Sequence, residues 1–431
     1  MKKLFVSLFI FAVLLFSNIS YCQNNSIPGG PGRYEALGSS PFILDPVIDI
    51  NNNPAWSGVY KNYVFANIGR NSVNQNQLTD QYAGVNFGIG TKKNMNLGLV
   101  LNKSEDNVSL FAQEIPTTNG GYAFNIVEVQ APIVPLKVLF GIQSSNFNLA
   151  IAPYYAAWSS ERDTIAGSYN LMVKRSSSAI GSQLGMIYKM NADWIEGSID
   201  FKLNSFKYDG SASGPSTNTI ENEGGMQLGI MLRGWFTVEK NDKIKLVPYV
   251  GFNMFSWNAK ITSTPTAYTD ILPKYSYTNL NAGIGINMPI LEKGTLATGL
   301  SMGYHSQNYK REDVTAYDET YSTFTLPKFN ISTEWFFTEW LSGRLGYSRA
   351  VVMTKDDAKF NAGSTPIQLT LKNSAPTDAD QTITTGLGLH FERFSFDGAI
   401  GERFYKEGPY ILTGKTNDLY GVISASYNFH K

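Results

Sequence analysis

From about residue 59 to the C-terminus the chain repeats one pattern, stretches of roughly 8 to 16 residues in which apolar and polar side chains alternate. In "NLGLVLNKS" (96–104), Leu97, Leu99 and Leu101 share one side, and Asn96, Gly98 and Asn102 share the other. "TLATGLSMGYHSQ" (295–307) sets Leu296, Leu300, Met302 and Tyr304 against Ala297, Gly299, Ser301, Gly303, His305 and Gln307. "TITTGLGLHFERFSFDGAIGERF" (382–404) reads as a hairpin, with Ile383, Leu387, Leu389, Phe391, Phe394, Phe396 and Ile400 on its apolar face. "DLYGVISASYNFHK" closes the series with Leu419, Ile423, Ala425, Tyr427 and Phe429. Strands of soluble sandwiches mostly span about 3 to 10 residues. Longer alternating strands repeated along most of a chain fit a barrel that crosses a bilayer at a tilt.

The connections alternate in length. Short polar turns fall at 91–94, 144–146, 190–193, 239–242, 291–294, 336–339 and 391–393, and between them come hydrophilic loops such as 209–223, 262–274, 311–320 and 356–380. Short turns on one rim and long loops on the other describe an outer-membrane barrel with its short side in the periplasm. The fold class is therefore an all-β, antiparallel, up-and-down transmembrane barrel of about 14 to 16 strands, an even number that lets first and last strands pair. Trp194, Trp235, Phe236, Trp335, Phe336, Phe337 and Trp340 flank the short turns, and Trp158 and Trp257 lie toward the long loops. Amphipathic rings favour the headgroup level, so these read as two interfacial girdles.

The polar face of each strand then points into the lumen. By parity it carries Glu196, Asp200, Lys202, Asn204, Arg233, Lys245, Tyr249, Asn253, His305, Glu334, Arg344, Asp397 and Arg403. Charges of both signs inside a low-dielectric shell must be paired or hydrated. Inward glycines, among them Gly185, Gly229, Gly299, Gly303, Gly386, Gly388 and Gly401, leave space at the wall, and inward Phe206, Val247, Phe255 and Trp257 form a greasy patch.

Composition narrows the classes. The 431 residues hold 35 basic and 35 acidic side chains, which excludes the clustered basic excess of a nucleic-acid binder. Only 16% of residues are charged while 13% are aromatic, so much of the surface need not face water. Residues 1–22 read as a signal peptide: Lys2 and Lys3, the apolar run 4–16, then Ser20 and Cys22 at the cleavage site. Cys22 is the one cysteine, and Tyr21 before it is too bulky for a lipid-anchor signal. The mature chain then has no thiol, and with three histidines (His305, His390, His430) on different strands it offers no metal site. No cofactor motif and no catalytic motif is present, so the chain is not read as an enzyme.

One segment stands apart. "RYEALGSSPFILDPVIDINNNPAW" (33–56) matches neither a helix nor a strand, yet its apolar content is unlike that of disordered chains. Gly38, Asp45 and Asn53-Pro54-Ala55 make it resemble the opening of the outer-membrane long-chain fatty-acid transporter family and of the related barrels of the type IX secretion machinery in Bacteroidetes. Pro46 stands where that family has a small residue, and the second glycine of its pattern is missing. The resemblance implies that residues 23–58 form a hatch folded inside a barrel of residues 59–431. It also implies passive entry of hydrophobic molecules such as fatty acids across the outer membrane of a Gram-negative bacterium. The expected partners are outer-membrane lipid and a hydrophobic ligand. Two alternatives stand: a non-transporting barrel that docks other exported proteins through its long loops, and a general aqueous porin.

Overall fold

The computed structural model describes residues 29–71, 78–79, 81–90, 94–101, 103–104, 112–116, 122–126, 133–166, 169–211, 217–238, 241–264, 268–271, 274–291, 293–311, 317–362, 365–375, 381–400 and 420–429. Residues 1–22, which read as a signal peptide, lie outside them, as do Gly401, Arg403 and His430.

Sixteen antiparallel strands close into a barrel: β1 (Tyr63–Asn71), β2 (Tyr82–Ile89), β3 (Met95–Leu101), β4 (Ile133–Gln143), β5 (Phe147–Ala166), β6 (Tyr169–Met190), β7 (Asp193–Ser211) and β8 (Thr217–Val238) form the first half. The second half is β9 (Asn241–Thr264), β10 (Lys274–Ile290), β11 (Gly294–Arg311), β12 (Tyr317–Phe336), β13 (Leu341–Ala362), β14 (Gln381–Phe391), β15 (Phe394–Ile400) and β16 (Tyr420–Asn428). Each strand pairs with its sequence neighbours, and closure comes from β1 on β16, with Tyr63 opposite Asn428 and Ala66 opposite Ala425. Closure removes every sheet edge at the level of the bilayer, where an unpaired N–H or C=O has no water to bond.

The outside is apolar. Leu97, Ile199, Ile230, Ile284, Leu300, Leu345 and Leu387 are 36–52% exposed, although they would be core residues in a soluble protein. On β7 this outward face runs from Ile195 through Ile199, Phe201 and Leu203 before Ser205 and Lys207 take over. That is about 26 Å along the strand at ~3.3 Å per residue, the scale of the apolar band such a barrel needs. No described helix is long and apolar enough to cross a membrane.

Two expectations change. Most of the long loops are strand: β7 and β8 leave only 212–216 between them, and β13 continues to Ala362 and pairs with Thr365–Ala375. Beyond the bilayer both strand faces meet water, so the alternation that marks a strand is lost while the ladder continues. The girdle reading also fails for three tryptophans. Trp235 and Trp257 are buried in the interior, and Trp194 stacks on Trp235 with centroids 5.5 Å apart. Their parity explains it, because Trp194 is in phase with Glu196 and Trp235 with Arg233. Phe337 and Trp340, half exposed beside the turn from β12 to β13, do face outward.

Replacing Ile284 by Arg at mid-band should cost about 2–4 kcal/mol of stability in a bilayer. The same change at Lys207, above the band, should cost almost nothing. Denaturant titration of the barrel refolded into lipid vesicles measures both.

Candidate functional site

Residues 29–62 enter the barrel and fill its turn-side lumen. The segment folds as α1 (Pro31–Ala36), α2 (Pro46–Asn52) and a 3-10 turn (Pro54–Gly58), so it is helical where its composition suggested neither regular structure. The local cause is repeated twice. Asp45 has extended φ and ψ, its carboxylate accepts from the N–H groups of Val47 and Ile48 at 3.1 Å, and Pro46 follows as the first helical residue. Asn53 does the same for the 3-10 turn, its side-chain oxygen accepting from Ala55 N–H at 3.1 Å ahead of Pro54. Helices this short do not persist alone in water, so packing must supply the rest.

That packing is extensive. Val47, Ile50, Ala55 and Trp56 bury against Tyr63, Phe65, Tyr82, Val100, Leu139 and Ile187 of the wall. Leu37, Phe42 and Ile43 bury against Trp235, Val247 and Ala297 on the opposite sector. The inward glycines are seats for this segment: a Cβ at Gly185 would overlap Asn53 and Pro54, one at Gly299 would overlap Phe42, and one at Gly386 would overlap Ala36. Gly38 brings its N–H so near Gly346 that a Cβ at Gly346 would overlap it, and its own φ of 71°, in the left-handed region, disfavours any side chain at Gly38. Wall side chains bond the segment's backbone as well. Ser332 Oγ donates to Leu37 O at 2.7 Å, Asn287 Nδ2 to Phe42 O at 2.8 Å, Ser198 Oγ to Asn52 O at 2.8 Å and Asn86 Nδ2 to Ser57 O at 2.6 Å.

Charges complete the attachment. Arg33 donates to both oxygens of Glu334 on β12, with Nη2 at 2.7 Å, and its Nη1 reaches Leu44 O at 2.7 Å and Asp45 at 3.3 Å. Glu334 also accepts from Arg344 Nε on β13 at 2.6 Å, and Arg344 Nη2 lies 2.6 Å from Asp397 on β15. A second chain starts at Asp49, which accepts from Arg233 Nη2 of β8 at 2.6 Å; Arg233 Nε donates to Glu196 of β7 at 2.7 Å. Glu196 is fully buried and also accepts from Trp56 Nε1 at 2.5 Å, Trp235 Nε1 at 3.2 Å and Asn53 Nδ2 at 3.3 Å. Burial pushes the carboxyls of both Asp45 and Asp49 up, against the pull of Arg33 and Arg233 respectively.

The inward carboxylates and cations thus separate into groups. Glu196, Arg233, Glu334, Arg344 and Asp397 hold the N-terminal segment. Asp200 and Lys202 lie farther along β7 on the loop side, where Tyr154 O–H donates to Asp200 at 3.1 Å and the ammoniums of Lys137 and Lys202 lie 5.9 and 5.8 Å from the Tyr154 ring centre. Lys245 stays at the turn rim, bonded to Ala192 O and Thr237. Beyond Asp200 and Lys202, toward the loops, Phe206, Trp257, Tyr275, Phe255 and Tyr277 form a chain of ring contacts 5.3–6.1 Å apart along the inner wall. Arg33, Asp49 and Trp56 are the partners of these wall charges that inspection of the strands could not find, since they lie outside them. No group of three or more potential metal ligands occurs among the described residues.

No protein-family model and no curated protein matches the chain. Among solved structures, the toluene transporter TodX of Pseudomonas putida is similar at 10% identity over 94% of this chain and 99% of that one, with a TM-score of 0.34. The toluene transporter TbuX of Ralstonia pickettii is similar at 10% identity over 93% and 99%, with a TM-score of 0.36. The ferric yersiniabactin uptake receptor FyuA of Yersinia pestis is similar at 10% identity over 85% and 74%, with a TM-score of 0.35. The likeness is one of barrel fold.

Two substitutions should loosen the N-terminal segment without opening the barrel. Gly185→Leu removes the seat of Asn53-Pro54, and Arg233→Ala leaves Asp49 and Glu196 buried with no guanidinium, a change that typically costs about 3–5 kcal/mol. Limited proteolysis should cut within residues 29–62 of either variant while the strands stay resistant. The wild-type segment should remain uncut under the same conditions.

Proposed function

We propose that this chain is an outer-membrane channel for passive entry of hydrophobic small molecules, fatty acids among them, with residues 29–62 as its gate. One observation carries the reading: the N-terminal segment packs inside the wall on the turn side and is held by residues of strands from β1 round to β16. A structural core could have been built from the wall alone. An inserted segment, held by bonds that can be exchanged for water, suits a part that moves. The aromatic wall from Phe206 to Tyr277 on the loop side offers apolar surface on the way to the gate, and Gly38, Asp45 and Asn53-Pro54-Ala55 carry the resemblance to fatty-acid transporters. The rate-setting step is then displacement of the gate and not solute diffusion. In the same reading the chain carries out no covalent chemistry and takes no cofactor. Its environment is outer-membrane lipid.

Liposomes carrying the purified barrel should admit a fluorescent long-chain fatty acid and exclude a small sugar. Gly346→Leu, which unseats Gly38, should change fatty-acid entry and let sugar leak through. If fatty acid stays outside in every case while sugar leaks through the variant, the channel exists but hydrophobic solutes are not its cargo. If neither solute enters through either protein, transport is the wrong reading.

A further inference from the structure

The two charged chains that hold the gate do not balance. Along the first, Asp397, Arg344, Glu334, Arg33 and Asp45 alternate, three carboxylates with two guanidiniums. Along the second, Asp49, Arg233 and Glu196 alternate, two carboxylates with one guanidinium. Each chain begins and ends on an acid, so each holds one negative charge more than its guanidiniums neutralise. All eight side chains are at most a tenth exposed. A surplus charge taken out of water is expensive, and a carboxyl group has a cheaper option, which is to keep its proton.

Hydrogen-bond counts single out Asp49, and not Glu196, as the acid of the second chain with fewer donors to stabilise a carboxylate. Glu196 accepts four hydrogen bonds, from Arg233, Trp56, Trp235 and Asn53, an arrangement suited to a carboxylate. Asp49 accepts only two, one from Arg233 and one from Asp45 N–H at 2.8 Å. The other titratable groups around Asp49 add no positive charge: Asp45 on its own helix, Glu196 across Arg233, and the neutral phenols of Tyr34 and Tyr60.

We propose that the gate is a proton-dependent latch, in which Asp49 is protonated while the segment is seated and loses that proton as the segment leaves the lumen. Burial, with Glu196 adding to it and Arg233 opposing it, pushes the seated Asp49 up to about 7. In water an aspartate titrates near ~3.9. The seated state therefore binds one more proton than the released state between those limits. By linkage, its hold is complete below about pH 4, weakens about tenfold per pH unit above that, and levels off past pH ~7. Release becomes easier as pH rises.

The latch rests on the gate reading but not on the cargo, and its test uses no hydrophobic solute. Difference infrared spectroscopy between about pH 5 and 8 should show the carbonyl stretch of a protonated carboxylic acid disappearing from the wild-type barrel. Asp49→Asn, which keeps the seated group neutral, should lose Asp49's share of that band and keep only what the chain from Asp397 to Asp45 contributes. In planar bilayers the wild-type open probability should rise with pH across the same range, and that of Asp49→Asn should stay lower and rise less steeply. If Asp49→Asn does not yield a barrel, Glu196→Gln, which neutralises the same chain, takes its place with the same expectations. A wild-type spectrum without the band overturns the latch. So does a band or a conductance slope that is as large in the variant as in the wild type.

Discussion

Everything inside this barrel depends on one constraint: charges enclosed by strands have lost their water and must find partners in protein. Eight of them do so by alternating acid with guanidinium in two chains, and each chain ties the N-terminal segment to the wall. Arg33 is the clearest case. Its fork binds a wall carboxylate, Glu334, and through its other nitrogen caps the turn at Leu44 and reaches Asp45. A lysine could not meet both demands, because it has no second planar edge. The helices of the segment thus exist where their partners are, and the wall charges are tolerated because the segment is there.

Shape follows the same reciprocity. The wall yields space at Gly185, Gly299, Gly346 and Gly386, and the segment fills it with Asn53-Pro54, Phe42, Gly38 and Ala36. Trp56 stacks on Tyr60 and meets Trp194 edge to face, while Trp194 stacks on Trp235, so an aromatic column runs from gate to wall directly over Glu196. These rings serve the gate by donating N–H groups from Trp56 and Trp235 to a buried carboxylate, a task for which an indole is suited.

Loop-side and turn-side halves of the lumen differ in chemistry. The turn side is filled and fully charged. On the loop side, Asp200, Lys202 and Lys137 gather around Tyr154, and the wall beyond them is aromatic. The N-terminal segment is held on the turn side by its ion pairs together with the apolar clusters around Val47, Ile50, Trp56 and Phe42.

The barrel was legible in the chain because side-chain direction in a strand has period two, a rule that operates within a few residues and needs no distant partner. It places Glu196, Arg233, Glu334, Arg344 and Asp397 inside one at a time, and applied to Trp194 and Trp235 it would have placed them there too. The helix of residues 46–52 and the 3-10 turn of 54–58 were also locally written, in the Asp45-Pro46 and Asn53-Pro54 caps, but they are too short for periodicity to register. What tertiary structure alone decided is which inward charge meets which. Arg33 and Glu334 are 301 residues apart, and Asp49 and Arg233 are 184 apart. Parity names the face of a strand, whereas opposition across a lumen depends on closure, stagger and the path of the inserted segment. None of those is a property of any short stretch of sequence.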